Sequence, residues 1–406
     1  MRRVPVRSLH VVVLRGLVSA SAVALLLGVA PAAEDFVLRH WRQPLSPQGP
    51  PPSGFTPLEA SLQPEACGAC HPVQHADWRT SIHAASMGPG VAGQLREMLD
   101  KDPRSALDCQ NCHAPLFEQR PLVPNDGGLV PNPGFDATLR PKGIPCAGCH
   151  VRGHERFGPP RRDGTTASAA PRESLPHHGV TRTAAFLTSE FCRGCHQFTD
   201  DGFALNGKLL ENTYREWAAS RFAAARVQCQ DCHMPDRRHL WRGIHDAEMV
   251  RSGISVKLDP APTVGGDGVI GTLSVTNTGV GHAFPTYVTP RVVLRGELLD
   301  RDGQVASGSR QETVVARDVT LDLAAELSDT RLLPGQTAVL EYRRRAGVSG
   351  ARARFTVVVY PDWFYTRFFE ALLRQGAGRG AAEITEALAA TRRSSFTVYS
   401  EEVALD

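Results

Sequence analysis

Beyond about residue 252 the apolar positions of the chain recur every second residue. Ile254–Leu258, Val269–Thr276, Arg291–Leu299, Thr313–Val319, Ala338–Tyr342 and Phe355–Tyr360 share this alternation and are rich in β-branched residues, the signature of half-buried strands. Turn signals such as Asp300-Arg301-Asp302-Gly303 and Pro334-Gly335 lie between them. Strands at this spacing predict an immunoglobulin-like sandwich. Helical periodicity then takes over at Trp363–Arg374 and Ala381–Thr391, and Ser395–Tyr399 reads as a last strand returning to the sheet.

Ahead of residue 252 the alternation is absent. Helical patterns run over Val91–Leu99 and Glu211–Ala225, Arg161–Ala170 reads as an exposed loop, and the rest is short turns. Pro44, Pro47, Pro50, Pro51, Pro52 and Pro57 crowd one stretch, which predicts an extended surface linker. The fold class expected is therefore multidomain: an α- and loop-rich domain followed by an all-β sandwich with short C-terminal helices. The boundaries read as 1–33 export signal, 34–57 linker, 58–252 first domain and 253–406 β-domain with C-terminal helices.

The first thirty-odd residues carry a different pattern. Arg2, Arg3, Arg7 and Arg15 precede an apolar run from Gly16 to Ala30, and Ala30-Pro31-Ala32-Ala33 follows. A basic start, a short apolar core and small residues at a cleavage site mark a secretory peptide. Fifteen apolar residues fall short of the roughly 20 needed to span a bilayer. The expected location is the periplasm, with membrane association only through partners. Cleavage would remove four of the 45 basic residues and no acid, leaving 41 against 42 acidic ones. That balance argues against nucleic acid, whose recognition needs a clustered basic surface. A 42% hydrophobic content over 406 residues is enough for two or three domains with cores.

The cysteines change the picture most. All ten fall into five pairs of one form. They are Cys67-x-x-Cys70-His71, Cys109-x-x-Cys112-His113, Cys146-x-x-Cys149-His150, Cys192-x-x-Cys195-His196 and Cys229-x-x-Cys232-His233. Two thiols three residues apart lie on one face of a helical turn, where they reach the two vinyl groups of one porphyrin. The next residue projects an imidazole to the iron. Disulfides and zinc sites also use Cys-x-x-Cys, but neither requires a histidine after every second cysteine. Five covalently attached c-type haems are the expected cofactors. With under forty residues serving each one, the porphyrins must supply much of the buried apolar area.

Nine histidines remain outside the motifs and the signal: His40, His75, His83, His154, His177, His178, His239, His245 and His282. Second axial ligands are their obvious use. His83, His178, His245 and His282 are the leading candidates, with His239 and His177 next and His154 open. His40 and His75 read as packing or solvated residues. Trp78 is placed to pack on a haem face, and Met87 reads as core. His282 lies on a loop after a strand ending Thr276-Asn277, and is expected to lean onto a haem and join the two domains.

With these motifs placed, the chain resembles multihaem cytochromes of the c-554 and hydroxylamine-oxidoreductase-like superfamily. Cys67–Ala84, with Trp78 and Ser81-Ile82-His83-Ala84, is similar to the first-haem motif. Ser189-Glu190-Phe191-Cys192 through His196, and Glu216-Trp217 followed by Cys229 through Pro235, are similar to later ones. Asn277 through Thr286 resembles a motif of C-terminal β-domains in related cytochromes. The resemblance implies stacked haem pairs, mostly bis-histidine ligation and electron transfer, with His83 and His282 as distal ligands. Five motifs depart from the four and eight of those two members, and no Cys-x-x-Cys-Lys marks a nitrite-reductase site.

Electron transfer between redox partner proteins is the leading expectation. The alternatives are an oxidoreductase acting on a small nitrogen or sulfur compound at one five-coordinate haem, and a docking subunit of a respiratory or outer-membrane complex.

Overall fold

The computed structural model describes residues 30–168, 170–259, 263–265, 268–344 and 352–405. The export segment read at 1–33 falls outside them as far as residue 29, and a helix covers Ala30–His40.

In the first domain the chain is laid down as short helices, and four of the five Cys-x-x-Cys-His motifs close one. Pro103–His113, Cys146–His150, Glu190–His196 and Cys229–His233 each end on the motif histidine. The first motif differs: Cys67 lies in helix Pro64–Gly68, and His71 precedes helix Pro72–Arg79. Helix Pro89–Lys101 overlaps the predicted Val91–Leu99. Glu211–Ala225 is not one helix. It divides into Thr213–Ala218 and Arg221–Ala224, because Ser220 is extended and its hydroxyl accepts from the amides of Phe222 and Ala223, capping a new start. Helix Pro103–His113 was not anticipated, although Asp102 followed by Pro103 is a start signal; the Asp102 side chain accepts from Ser105 N.

The proline-rich stretch is part of the domain rather than a free linker. Leu45 is buried with Leu116, Leu139, Ala147 and Val151, and Gln48 N donates to Glu118 Oε1 at 2.7 Å. Proline density still keeps the stretch free of helix and strand up to Pro57.

The second domain is two antiparallel sheets face to face. One has the order Thr337–Arg344, Gly268–Asn277, Ile254–Leu258, with Thr263–Gly265 also paired to the central strand. The other runs Glu326–Asp329, Gln311–Val319, Arg291–Leu299, Arg352–Tyr360, Phe396–Ala404. Their shared core takes Leu273, Val275, Leu340 and Tyr342 from the first sheet, and Val292, Leu294, Phe355, Val357 and Val359 from the second. Gly296 makes room for Tyr342: a Cβ there would lie 2.5 Å from the ring. Strict alternation along Arg352–Tyr360 turns Ala353, Phe355, Val357 and Val359 inward, as a half-buried strand requires.

Two joints tie the domains. Helices Trp363–Gln375 and Ala381–Thr391 stand between the last two strands and carry a cluster of Phe369, Ile384, Ala387 and Leu388. They meet helix Pro89–Lys101 at backbone distance, since a Cβ on Gly380 would sit 2.1 Å from Gly93 O. At the second joint, Arg317 of the β-domain donates to the carbonyls of Leu209 at 2.8 Å, Lys208 at 2.9 Å and Leu205 at 3.2 Å. All three belong to a hairpin of the first domain. Its guanidinium is paired with Glu326 at 2.8 Å, with the two side chains only 1% and 4% exposed. Without Arg317 the Glu326 carboxylate keeps Lys208 at 2.7 Å, but the hairpin carbonyls lose their donor. Arg317→Ala is expected to cost about 1–3 kcal/mol for each buried group left unpaired, read as a lower denaturant midpoint by far-ultraviolet circular dichroism.

Candidate functional site

The five motif histidines divide the site into five stations, and the cysteine contacts order them. The thiols of Cys67 and Cys146 lie close enough for each to shift the titration of the other, which sets motif one against motif three. Cys112 meets Cys195, joining motifs two and four, and Cys192 meets Cys229, joining four and five. Cys149 lies close enough to Cys192 and Cys195 to raise both their pKa values by charge repulsion, so three abuts four. The spatial order is one, three, four, with two and five both on four. No disulfide forms among the ten cysteines.

Three imidazole pairs share one separation. His83 and His196 have ring centres 6.3 Å apart, His150 and His239 6.2 Å, and His233 and His282 6.4 Å. A metal–imidazole bond is about 2.0–2.1 Å, and the ring centre lies about 1.1 Å beyond the nitrogen. Two imidazoles on opposite sides of one metal therefore have centres about 6.2–6.4 Å apart. The residues fit axial ligation of a porphyrin iron, and each pair joins a motif histidine to one outside the motifs.

The hydrogen bonds of the rings sort the histidines further. Nδ1 of His113 bonds to Ser86 O, of His150 to Phe157 O and of His233 to Arg242 O, at 2.7–2.8 Å. His239 and His282 likewise bond through Nδ1, to Arg237 O at 3.1 Å and Ala283 O at 2.9 Å. His177 does the same with Gly179 O at 3.0 Å. An Nδ1 held this way carries the proton and leaves Nε2 as a lone-pair donor, the arrangement of metal-bound histidine. His40, His154 and His245 are bound the other way round. Their Nε2 atoms meet Cys149 O at 2.8 Å, Gly49 O at 2.9 Å and Asp362 Oδ1 at 3.0 Å.

Of the sequence candidates, His83, His239 and His282 thus stand opposite motif histidines. His245 faces Asp362, and the ring of His178 is edge-on to Phe55 at 4.8 Å. His71 and His113 have no second imidazole at the common spacing among the described residues. His71 is nonetheless near enough to His177 to help lower its pKa, behind the larger effect of burial. Burial likewise pushes His83 down to about 3, and His150, His196 and His282 to about 4. These imidazoles are neutral across the physiological range, the state a ligand needs.

Each outlying histidine is delivered by a specific contact. His83 rides on a turn after helix Pro72–Arg79 in which Ser81 Oγ donates to Trp78 O at 2.7 Å. Ile144 N donates to His83 O at 2.9 Å, and the approach requires Gly143, whose φ is 62° and whose Cβ would lie 2.5 Å from that carbonyl. His239 is fixed through Asp77, which accepts Arg238 bidentately at 2.6 and 2.7 Å and the amide of His239 at 3.0 Å. Trp241 stands edge-on between His83 and His239, at 4.6 and 5.1 Å. Trp78 instead donates its indole N–H to Ile144 O at 2.7 Å.

His282 is carried by the β-domain. Asn277, fully buried, donates to His282 O and Leu332 O at 3.0 and 2.9 Å and accepts from Val280 N at 3.0 Å. Glu216 of the first domain accepts from Ala283 N at 3.1 Å and from Arg331 at 3.2 Å. The loop is therefore clamped from both sides. Asp77, Trp241, Asn277 as a loop brace, and the Glu216–Arg331 pair were not singled out in the sequence. Their partners lie far along the chain, and only the Asn277–Gly281 spacing gave any signal.

Two comparisons with known proteins find similar ones. Residues 66–127 match the family model described as cytochrome c554 and c-prime. Among solved structures, the chain is similar to a penta-heme cytochrome c552 from Thermochromatium tepidum, at 18% identity and a TM-score of 0.55, covering 86% of this chain and 100% of that one. No curated protein sequence matches. The first match makes residues 66–127 similar to a cytochrome c family, and the second shows a shared fold of helices and many β-sheets. They support a multihaem cytochrome c family for this chain, and with it haem c as cofactor and electron transfer as the general activity.

Asn277→Ala removes two donors and one acceptor from a buried loop. About 1–3 kcal/mol is expected for each group left unpaired. The variant should melt earlier, and amides from Val280 to Phe284 should exchange faster with deuterium while those of Arg352–Tyr360 stay protected.

Proposed function

We propose that this protein is an exported, periplasmic pentahaem cytochrome that passes electrons between redox partners. Its five motifs each hold one haem through two thioethers and a motif histidine. His83, His239 and His282 complete the axial sets of His196, His150 and His233. The observation that carries this reading is the common 6.2–6.4 Å spacing of three imidazole pairs. His177, with Nδ1 anchored and His71 nearby, is the best-placed partner for the first motif.

Bound haem supplies a one-electron iron couple at each station. The chain supplies the rest. Its packing sets neighbouring motifs side by side, and its carbonyls fix the imidazole orientations. The two-sheet domain, which we read as an immunoglobulin-like sandwich, holds His282 against the fifth motif. Motif four touches three others and is the junction of the path.

A second reading concerns the second motif. His113 has no imidazole partner at axial distance among the described residues, which favours one five-coordinate site open to a small nitrogen or sulfur species. The docking role expected for the β-domain stays a third proposal.

Protein matured in a cytochrome c-competent host should carry five porphyrins by intact mass and show c-type bands on reduction. His83→Ala, His239→Ala and His282→Ala should each turn one low-spin ferric signal high-spin in electron paramagnetic resonance, with five haems still attached. Unchanged low-spin spectra in all three variants would sink the ligand assignment. A high-spin signal already present in the unaltered protein supports the open second site.

A further inference from the structure

Among the motif histidines with a bonded Nδ1, His196 alone meets a side chain. His113, His150 and His233 bond to backbone carbonyls, whereas His196 Nδ1 lies 2.7 Å from the Tyr287 hydroxyl. Tyr287 belongs to the β-domain, five residues beyond His282. Its φ is 63°, a left-handed conformation costly for an aromatic residue, and one that persists only where the surroundings enforce it.

Behind the hydroxyl lies a half-buried carboxyl group. Glu211 and Thr213 lie close enough to Tyr287 to shift its titration, behind the larger effect of burial. Glu211 accepts from Thr213 N at 3.3 Å and Thr213 Oγ1 at 2.9 Å, while Thr213 Oγ1 and Thr286 Oγ1 are 3.0 Å apart. Imidazole, phenol and carboxyl therefore follow one another across the domain boundary.

We propose that Tyr287 is a positioning residue that tunes the fourth haem. His196 Nδ1–H donates to the phenol oxygen, and the phenol O–H donates to Glu211. A phenol polarised by a carboxylate is a stronger acceptor than a lone carbonyl, since linked hydrogen bonds reinforce one another. A stronger acceptor at Nδ1 makes the imidazole a more basic ligand. More basic ligation favours ferric over ferrous iron, so this haem has a lower potential than a carbonyl partner would give it. Because motif four is the junction, the β-domain sets the potential through which the other stations communicate. The inference rests on the reading of His196 and His83 as one axial pair.

Tyr287→Phe keeps the ring and deletes the acceptor. Potentiometric titration followed by visible and electron paramagnetic resonance spectra should show one of the five potentials moving up and four unmoved. The haem that moves should be the one that His83→Ala turns high-spin. Glu211→Gln keeps a side-chain acceptor for Tyr287 but no charge. At a pH above the about 7 to which burial raises Glu211, it should move the same potential in the same direction by less. Five unchanged potentials in a Tyr287→Phe protein with five low-spin or unaltered haems would overturn the proposal, as would equal shifts at several haems. Should Tyr287→Phe fail to retain its haems, Glu211→Gln decides by the same criterion. The axial reading fails separately, if His83→Ala alone leaves every signal low-spin.

Discussion

Neutral, half-buried imidazoles, held by Nδ1 with Nε2 free, are the constraint on which the molecule is organised. A histidine drawn out of water loses its charge easily, and burial, aided by neighbouring imidazoles, lowers the pKa of the proposed ligands far below the ordinary value. Which nitrogen then carries the proton depends on where a carbonyl or hydroxyl stands. For the motif histidines with an anchored ring, and for His239 and His282, that acceptor stands at Nδ1. For His40, His154 and His245 the bonded nitrogen is Nε2. One atom's difference separates histidines that keep the lone pair on Nε2 from histidines that keep it on Nδ1.

Fixing those rings takes residues from distant parts of the chain. Asp77 follows the first motif and holds the segment after the fifth. Gly143 precedes the third motif and lets Ile144 bond to the His83 turn. Glu216 and Arg331 come from different domains and clamp the His282 loop. The β-domain is consequently more than an appended module. It contributes His282 and Tyr287 to the haem-bearing half and is joined to it again at Arg317 and at Gly380.

Much of this was legible in the residues. The five motifs are local, since their chemistry depends on spacing within five residues and needs no fold. The strands beyond residue 252 were equally readable: alternation along Arg352–Tyr360 is a direct image of one face turned to the core, whereas Arg291–Leu299, central in its sheet, is covered on both faces. Misreadings came where a local signal competed with a contact. Glu211–Ala225 has helical spacing, but Ser220 offers its hydroxyl to the next amides and breaks it in two. The proline run of residues 44–57 looks like a surface linker, yet Leu45 is drawn into a core made by residues 71 to 106 positions further on.

Attachment of porphyrin, the class of protein and the presence of a β-rich second half were set by short-range pattern alone. Pairing of imidazoles was not, because Nε2 of one histidine meets its counterpart only after chain segments up to 113 residues apart are brought together, as for His83 and His196. Sequence placed His239 behind His245 and His178. In the structure Nε2 of His245 meets Asp362 and His239 stands across from His150, which is why His239 is the ligand we propose. Spacing along a chain records which groups exist; only packing decides which of their lone pairs remain unused.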